Sequence, residues 1–187
     1  MRERGWVQNQ AFVLEVRYAE GRVERLPELA AELVRLKVDV IVAMGTPAAL
    51  AAKQASTSIP VVFGLVGDPV ASGVVPNLAR PGGNVTGLSL HLPEVFAKGL
   101  EILKEALPRA ELIVITRDPD NRGQRPADAN ADAVAKARGL RLHRVDVRHV
   151  SDYEAAFQVA VKERAHAVLV SPQLPLPKQM ADFGASH

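Results

Sequence analysis

Apolar residues along this chain alternate between two patterns, short β-branched runs and longer stretches at helical spacing. Residues 38–43 and 60–66 are branched apolar runs. Each leads into a glycine-bearing loop, Met44-Gly45-Thr46-Pro47 and Gly64-Leu65-Val66-Gly67-Asp68-Pro69. Between them residues 47–55 are alanine-rich and helical in character. Strand, loop, helix, strand and loop in this order predict a parallel α/β sheet. In such sheets ligands gather outside the carboxyl ends of the strands, where both loops fall.

The same grammar extends in both directions. Residues 1–10 read as the tail of a helix stopped at Gly5, and residues 11–18 alternate as a strand, with Phe12, Leu14 and Val16 on one side. A helix is expected over residues 23–37, with Leu26, Leu29, Ala30, Leu33 and Leu36 at helical spacing and Pro27 in the first turn. The strand at 38–43, apolar on both faces apart from Asp39, reads as buried on both sides. Thr46 is placed to cap the helix that follows. Residues 68–84 read as irregular, with a turn at Arg80-Pro81-Gly82-Gly83-Asn84, and residues 85–90 as a short extended crossover. After Pro93 the pattern restarts. Helices are expected at 94–107, with Val95, Leu100, Leu103 and Leu107 on the apolar side, at 126–138, closed by Gly139, and at 151–163. Strands are expected at 111–116, 140–147 and 165–171, then a loop at 172–177 and a helix begun at Lys178. The fold class is thus α/β, with two consecutive parallel-sheet, Rossmann-like units over residues 1–90 and 91–187. Because the chain opens within an element and stops within a helix, both units are expected to be incomplete.

Composition narrows the function. A chain of 187 residues that is 48% hydrophobic and 24% charged suits a globular α/β protein. The balance of 23 basic against 21 acidic residues, with no run of five like charges, argues against a nucleic-acid partner. With no cysteine, disulfides and thiol catalysis are excluded. No apolar run approaches the roughly 20 residues that span a bilayer. Met1-Arg2-Glu3-Arg4-Gly5-Trp6 has no apolar core of a signal peptide, so the chain as written would stay in the cytoplasm.

Candidate chemistry lies in the loops. At Gly45-Thr46-Pro47 the free N–H groups that open a helix attract an anion such as a carboxylate, or Thr46 is simply a cap. Asp68 is either a partner for a ligand ammonium or an Asx-turn residue. Asp118 and Asn121, in the polar loop 117–125, either bond a polar ligand or form turns, and Ser171 and Gln173 hold the equivalent place after the last strand. No catalytic set is expected. His91, His143, His149, His166 and His187 show no metal-ligand spacing, and neither a P-loop, GxGxxG nor GxSxG occurs. No cofactor and no metal are expected.

Taken together, Pro27-Glu-Leu-Ala-Ala-Glu-Leu-Val, Val38-Asp-Val-Ile-Val-Ala, Gly45-Thr-Pro-Ala-Ala, Ile59-Pro-Val-Val-Phe, Gly67-Asp-Pro-Val and Ala79-Arg-Pro-Gly-Gly-Asn-Val-Thr-Gly carry a family likeness. The chain resembles the ABC-transporter substrate-binding proteins of the type 1 periplasmic fold, in the tryptophan/tyrosine group, from about residue 2 to 182. The resemblance implies two lobes with a ligand cleft between them, membrane permease subunits as partners and a periplasmic place of work. It maps Gly45, Thr46, Pro47 and Asp68 to first-lobe cleft loops, and Thr86 and Gly87 to the neighbourhood of the first crossover. It puts Asp118 where the family carries an asparagine. It also implies an export segment and first strand ahead of this chain, and a remainder of the second lobe after it.

Three functions are therefore weighed. A solute-binding component needs a cleft and no catalytic groups. The ligand-sensing effector domain of a transcription regulator needs a helix-turn-helix that the first ten residues do not supply. An α/β enzyme acting on a sugar or nucleotide needs a phosphate loop or acid–base pair, and none is visible. The expected ligand is a small, amino-acid-like molecule.

Overall fold

The computed structural model describes residue 3 and residues 5–171. A helical turn at Val23–Arg25 leads into α1 (Leu26–Arg35), with Pro27 in its first turn, where a missing N–H costs little. Strand β1 (Ile41–Met44) follows, then α2 (Thr46–Ala55), β2 (Val61–Val66) and β3 (Val85–Ser89). The three strands form one parallel sheet in the order β1-β2-β3, with Ile41 beside Val61 and Val61 beside Val85. The expected crossover at 85–90 is thus a full sheet strand.

One face of this sheet is buried. Ile41, Ala43, Val61, Phe63 and Val85 pack under Ala49 and Ala52 of α2 and under Val74 and Val75 of the following loop. Period-two alternation sends their neighbours to the other face, where Val42 is 66% and Leu88 76% exposed. The expectation that residues 38–43 are buried on both sides is corrected here. Both helices of the unit lie on the same face, so apolar character alone did not cover the second.

The second unit has α3 (Leu92–Ala106), β4 (Leu112–Arg117), α4 (Arg125–Ala137), β5 (Arg141–Asp146), α5 (Asp152–Lys162) and β6 (Ala167–Leu169). Its sheet is parallel in the order β5-β4-β6, with β4 central. Ile113 and Ile115 pack with Leu92, Phe96 and Leu100 of α3 and Ala127, Ala131 and Ala135 of α4. Tyr153 and Ala156 of α5 cover the other face through Val145, Val147 and Val170. Phe96 takes the inward place expected for Val95, which is half exposed. Gly139, at φ 65, ends α4 in the left-handed conformation that glycine permits.

Ion pairs tie the carboxyl end of this sheet to α4. Arg117 meets Asp146 at 2.7 Å and Asp128 at 3.7 Å, and Arg144 meets Asp132 at 2.7 Å and Asp128 at 3.6 Å.

Residues 11–18 form no strand. Among the described residues only a single bridge, Gln8 to Phe12, pairs there, and Val13, Leu14 and Tyr18 stand exposed. Alternation describes a face, and it becomes a strand only when a neighbour supplies the hydrogen bonds. Arg17 is held instead by Glu32 of α1, at 2.7 Å. The loop at 172–177, the helix from Lys178 and Gln173 lie outside the described residues, as do Met1, Arg2 and Arg4 of the expected N-terminal helix tail.

Two glycines of the core respond oppositely to alanine. At Gly87 of β3 a Cβ would enter the Phe63 ring at 2.6 Å, so Gly87→Ala is expected to destabilise by about 1–3 kcal/mol. At Gly99 of α3 the nearest atom would be Leu169 Cδ1 at 3.7 Å, so Gly99→Ala is expected to stabilise by about 0.5–1 kcal/mol. Urea denaturation of the two variants measures both signs.

Candidate functional site

The strands of the two units direct their carboxyl-end loops toward one junction. In the first unit Gly45, at φ 86, donates its N–H to Gly64 O at 2.8 Å, and its own carbonyl accepts from Ala49 at 3.0 Å. Helix α2 therefore begins one residue earlier than expected. Gly45 is at the cap, and Thr46, inside the first turn, makes no capping bond. The Thr46 side chain is fully buried, and among the described residues its hydroxyl has no partner.

Asp68 follows β2. Its Oδ1 accepts the N–H groups of Val70 at 3.0 Å and Ala71 at 2.9 Å, which is the Asx-turn arrangement. Thr86 and Gly87 lie within β3, opposite Val62 and Phe63, and do not reach the junction edge.

In the second unit the loop after β4 folds around one side chain, Gln124. Its Oε1 accepts the Asp118 N–H at 2.8 Å, and its amide nitrogen donates to the Ser171 hydroxyl. The Ser171 N–H in turn donates to Thr116 Oγ1 at 3.3 Å. Asn121 Oδ1 accepts the Gly123 N–H at 3.0 Å, and Asp118 Oδ1 accepts the Asp120 N–H at 3.0 Å. Asn121, Gln124, Thr116 and Ser171 are all buried. Asp118, Asn121 and Ser171 thus come together, as supports of one loop. Gln124 was missed because its partners arrive from 47 and six residues away, and nothing local marks it.

This loop presents Gly123 to the first unit. A Cβ on Gly67 would lie 2.6 Å from Gly123 O and 2.6 Å from Leu92 Cδ1, and a Cβ on Gly123 would collide with Thr46 Oγ1. The two backbones therefore meet with no side chain between them. A second meeting point joins Gly21 to His149, whose Nδ1 would be 3.5 Å from a Cβ on Gly21. The turn carrying His149 is fixed by Asp152, which accepts the N–H groups of Arg148 at 2.8 Å and His149 at 2.9 Å. The His149 and Arg148 amides hold the Asp152 carboxyl below its ordinary range.

Beside these contacts lies a cavity of about 180 Å³. Its apolar wall comes from Val23, Leu26 and Pro27 at the start of α1, and from Pro47, Leu50 and Ala51 of α2. Thr46 and Gln54 also line it, and Asp120 and Arg122 close it from the second unit. Asp120 Oδ2 accepts from Arg148 Nε at 3.0 Å, while Arg122 forms no ion pair among the described residues. Of the residues singled out in the sequence, Thr46 and Pro47 line this cavity. Asp120 and Arg122 share the polar loop read for Asp118 and Asn121, and the composition of a loop does not tell which of its side chains face a neighbour.

Two parallel α/β units joined through their carboxyl-end loops define the type 1 periplasmic-binding architecture. Residues 1–174 match the family described as ABC transporter substrate binding protein, and the chain belongs to that family. It is 34% identical over 113 residues to a tyrosine-binding protein of Clostridioides difficile (strain R20291), a match covering 60% of this chain and 32% of that protein. A conserved domain protein of Vibrio cholerae superposes with TM-score 0.81 at 28% identity, over 89% of this chain and 55% of that one. The ABC domain from Streptococcus pneumonia in complex with L-Trp superposes with TM-score 0.77 at 24% identity, over 99% of this chain and 60% of its own. The chain spans about a third of the length of the curated relative and little more than half of these structures.

Two measurements test the loop. Gln124→Leu strands the Asp118 N–H and the Ser171 hydroxyl, and is expected to cost about 1–3 kcal/mol in urea denaturation. Burial raises the Asp118 carboxyl above its ordinary range, so its ionised form opposes folding. That opposition is absent below the unfolded value near ~3.9 and grows as pH rises through the folded one. Asp118→Asn keeps the acceptor for Asp120 without the charge. It is expected to melt above the parent at neutral pH, with the gap closing on acidification, as a pH series of melts would read.

Proposed function

We propose that the chain is the binding portion of a solute-binding component of an ABC uptake system. Two lobes, residues 1–90 and 91–187, hold a small amino-acid-like molecule between them and present it to permease subunits in the membrane. The junction cavity, apolar on one side with both signs of charge at the other, carries this reading. An apolar ligand body fits the wall of Val23, Leu26, Pro27 and Leu50. The Arg122 guanidinium suits a carboxylate, with help from the N–H groups that open α2, and Asp120 suits an ammonium. Gly45, Thr46 and Pro47 shape the first-lobe side. Asp68, Asp118, Asn121 and Ser171 hold the surrounding loops in place. The relatives add support, one being a tyrosine-binding protein and another holding L-Trp. In this reading the protein works outside the cytoplasmic membrane and performs no catalysis, since a carrier must release its ligand unchanged.

A thermal-shift screen of the chain against the twenty amino acids tests it. A ligand at one hundred times its Kd adds about 2.7 kcal/mol of stability. The expected riser is an aromatic or branched amino acid, and Arg122→Ala is expected to weaken its binding about tenfold by calorimetry. A cooperative melt that none of the amino acids moves would overturn the ligand class.

A further inference from the structure

The chain enters the second sheet at its amino end, away from the junction. Arg141 opens β5 beside Leu112 of β4, and the His166 N–H, just before β6, donates to Leu112 O at 2.8 Å. Helices α3, α4 and α5 end at this same edge, because each leads directly into one of the three strands. Over residues 104–111, 136–141 and 162–166, seven lysines and arginines stand against three glutamates, whereas the whole chain has 23 basic against 21 acidic residues. The rest of the chain is therefore slightly acidic, and the basic excess is gathered on this edge.

Lysines in the last turns of α3, α4 and α5 complement the helix dipoles. Arg109, Arg141 and Arg164 have no such role. All three are exposed outside the helices and form no ion pair among the described residues, while the nearby Glu101 meets Arg138 and Glu163 meets His143. Arg164 also stands where glycine would be easier. After α4 the Leu140 N–H closes on Ala135 O at 2.8 Å with Gly139 at φ 65, and after α5 the Ala165 N–H closes on Ala160 O at 2.8 Å with Arg164 at φ 53. The two endings are alike, and a side chain at that left-handed position is strained where glycine is not. Among these cations Leu107 is 44% and Val161 52% exposed.

We propose that this edge docks on an anionic lipid surface, with Arg109, Arg141 and Arg164 meeting headgroup phosphates and Leu107 and Val161 entering the interface between them. Guanidinium groups suit phosphate through their paired donors, and juxtamembrane cations are drawn to anionic headgroups. The exposed apolar side chains favour lipid over nucleic acid, which offers no hydrocarbon beneath its phosphates. The edge lies at the far end of the strands from the junction cavity. Docking and ligand binding therefore stand or fall separately.

Sedimentation of the full chain with vesicles tests this without any ligand. At low salt the chain is expected to partition onto phosphatidylglycerol–phosphatidylcholine vesicles and not onto phosphatidylcholine alone. Salt at about 1 M, where the Debye length is about 3 Å, is expected to release it. Arg109→Gln, Arg141→Gln and Arg164→Gly are each expected to lower the partition about fivefold. Arg80→Gln, in the exposed turn of the first unit, is expected to bind like the parent. Arg164→Gly is further expected to melt at or above the parent, which separates lost docking from lost folding. A parent that ignores anionic vesicles overturns the proposal, as does equal binding to phosphatidylcholine or a triple variant bound as well as the parent. Binding to duplex DNA as tight as to vesicles of equal phosphate content overturns the choice of lipid. An Arg164→Gly chain that melts below the parent overturns the reading of Arg164, whose side chain would then serve the fold.

Discussion

Where Gly67 meets Gly123, two backbones touch with no side chain between them, and the spacing of the two α/β units depends on that contact. Neither glycine is there for a left-handed backbone, since neither has a positive φ. Both are there because a single added carbon would collide. The second unit invests several buried polar groups in presenting Gly123: Asn121 holds its N–H, and Gln124 ties the loop to Ser171 at the end of the sheet. Buried polar groups in a shared network hold position well because each unmade bond would be costly.

The two sheets solve the burial problem differently. The second is covered on both faces, by α3 and α4 on one and α5 on the other, and its central strand β4 is apolar through most of its length. The first carries α1 and α2 on one face, and leaves Val42, Met44 and Leu88 open on the other. The sheet covered on both faces is thus the one that presents the Asp118–Gln124 loop. The half-covered sheet contributes the helix starts that wall the cavity.

Most of the architecture was legible in the chain because it is written locally. The helices α1, α3, α4 and α5 were placed within a few residues, α1 and α3 by helical spacing, and β-branched runs located β1 and β2. Two local readings failed for non-local reasons. Residues 11–18 alternate like a strand but, among the described residues, lack a paired neighbouring strand. Thr46 has a capping side chain but follows a glycine whose backbone already starts the helix. The site was legible at the level of loops rather than residues. The loop after β4 could be named from its place in the βα order, whereas the roles of Gln124, Gly123, Asp120 and Arg122 depend on partners distant in sequence. Asp68 and Asp118 are polar loop residues like Asp120, yet their carboxylates accept backbone N–H groups of their own loops.

The ion pairs at the carboxyl end of the second sheet change what the Asp118–Gln124 loop is. Arg117 stands immediately before it and grips Asp128 of α4, just beyond it, as well as Asp146 of β5. The loop is therefore a small ring, pinched shut at its base, rather than a free strap between a strand and a helix. The entropy of closing a chain segment grows slowly with its length, so most of the cost of confining a short ring is met once its ends are fixed. Having lost that freedom at folding, the ring has little left to lose when another molecule arrives, and an encounter with it can resemble contact with a solid edge.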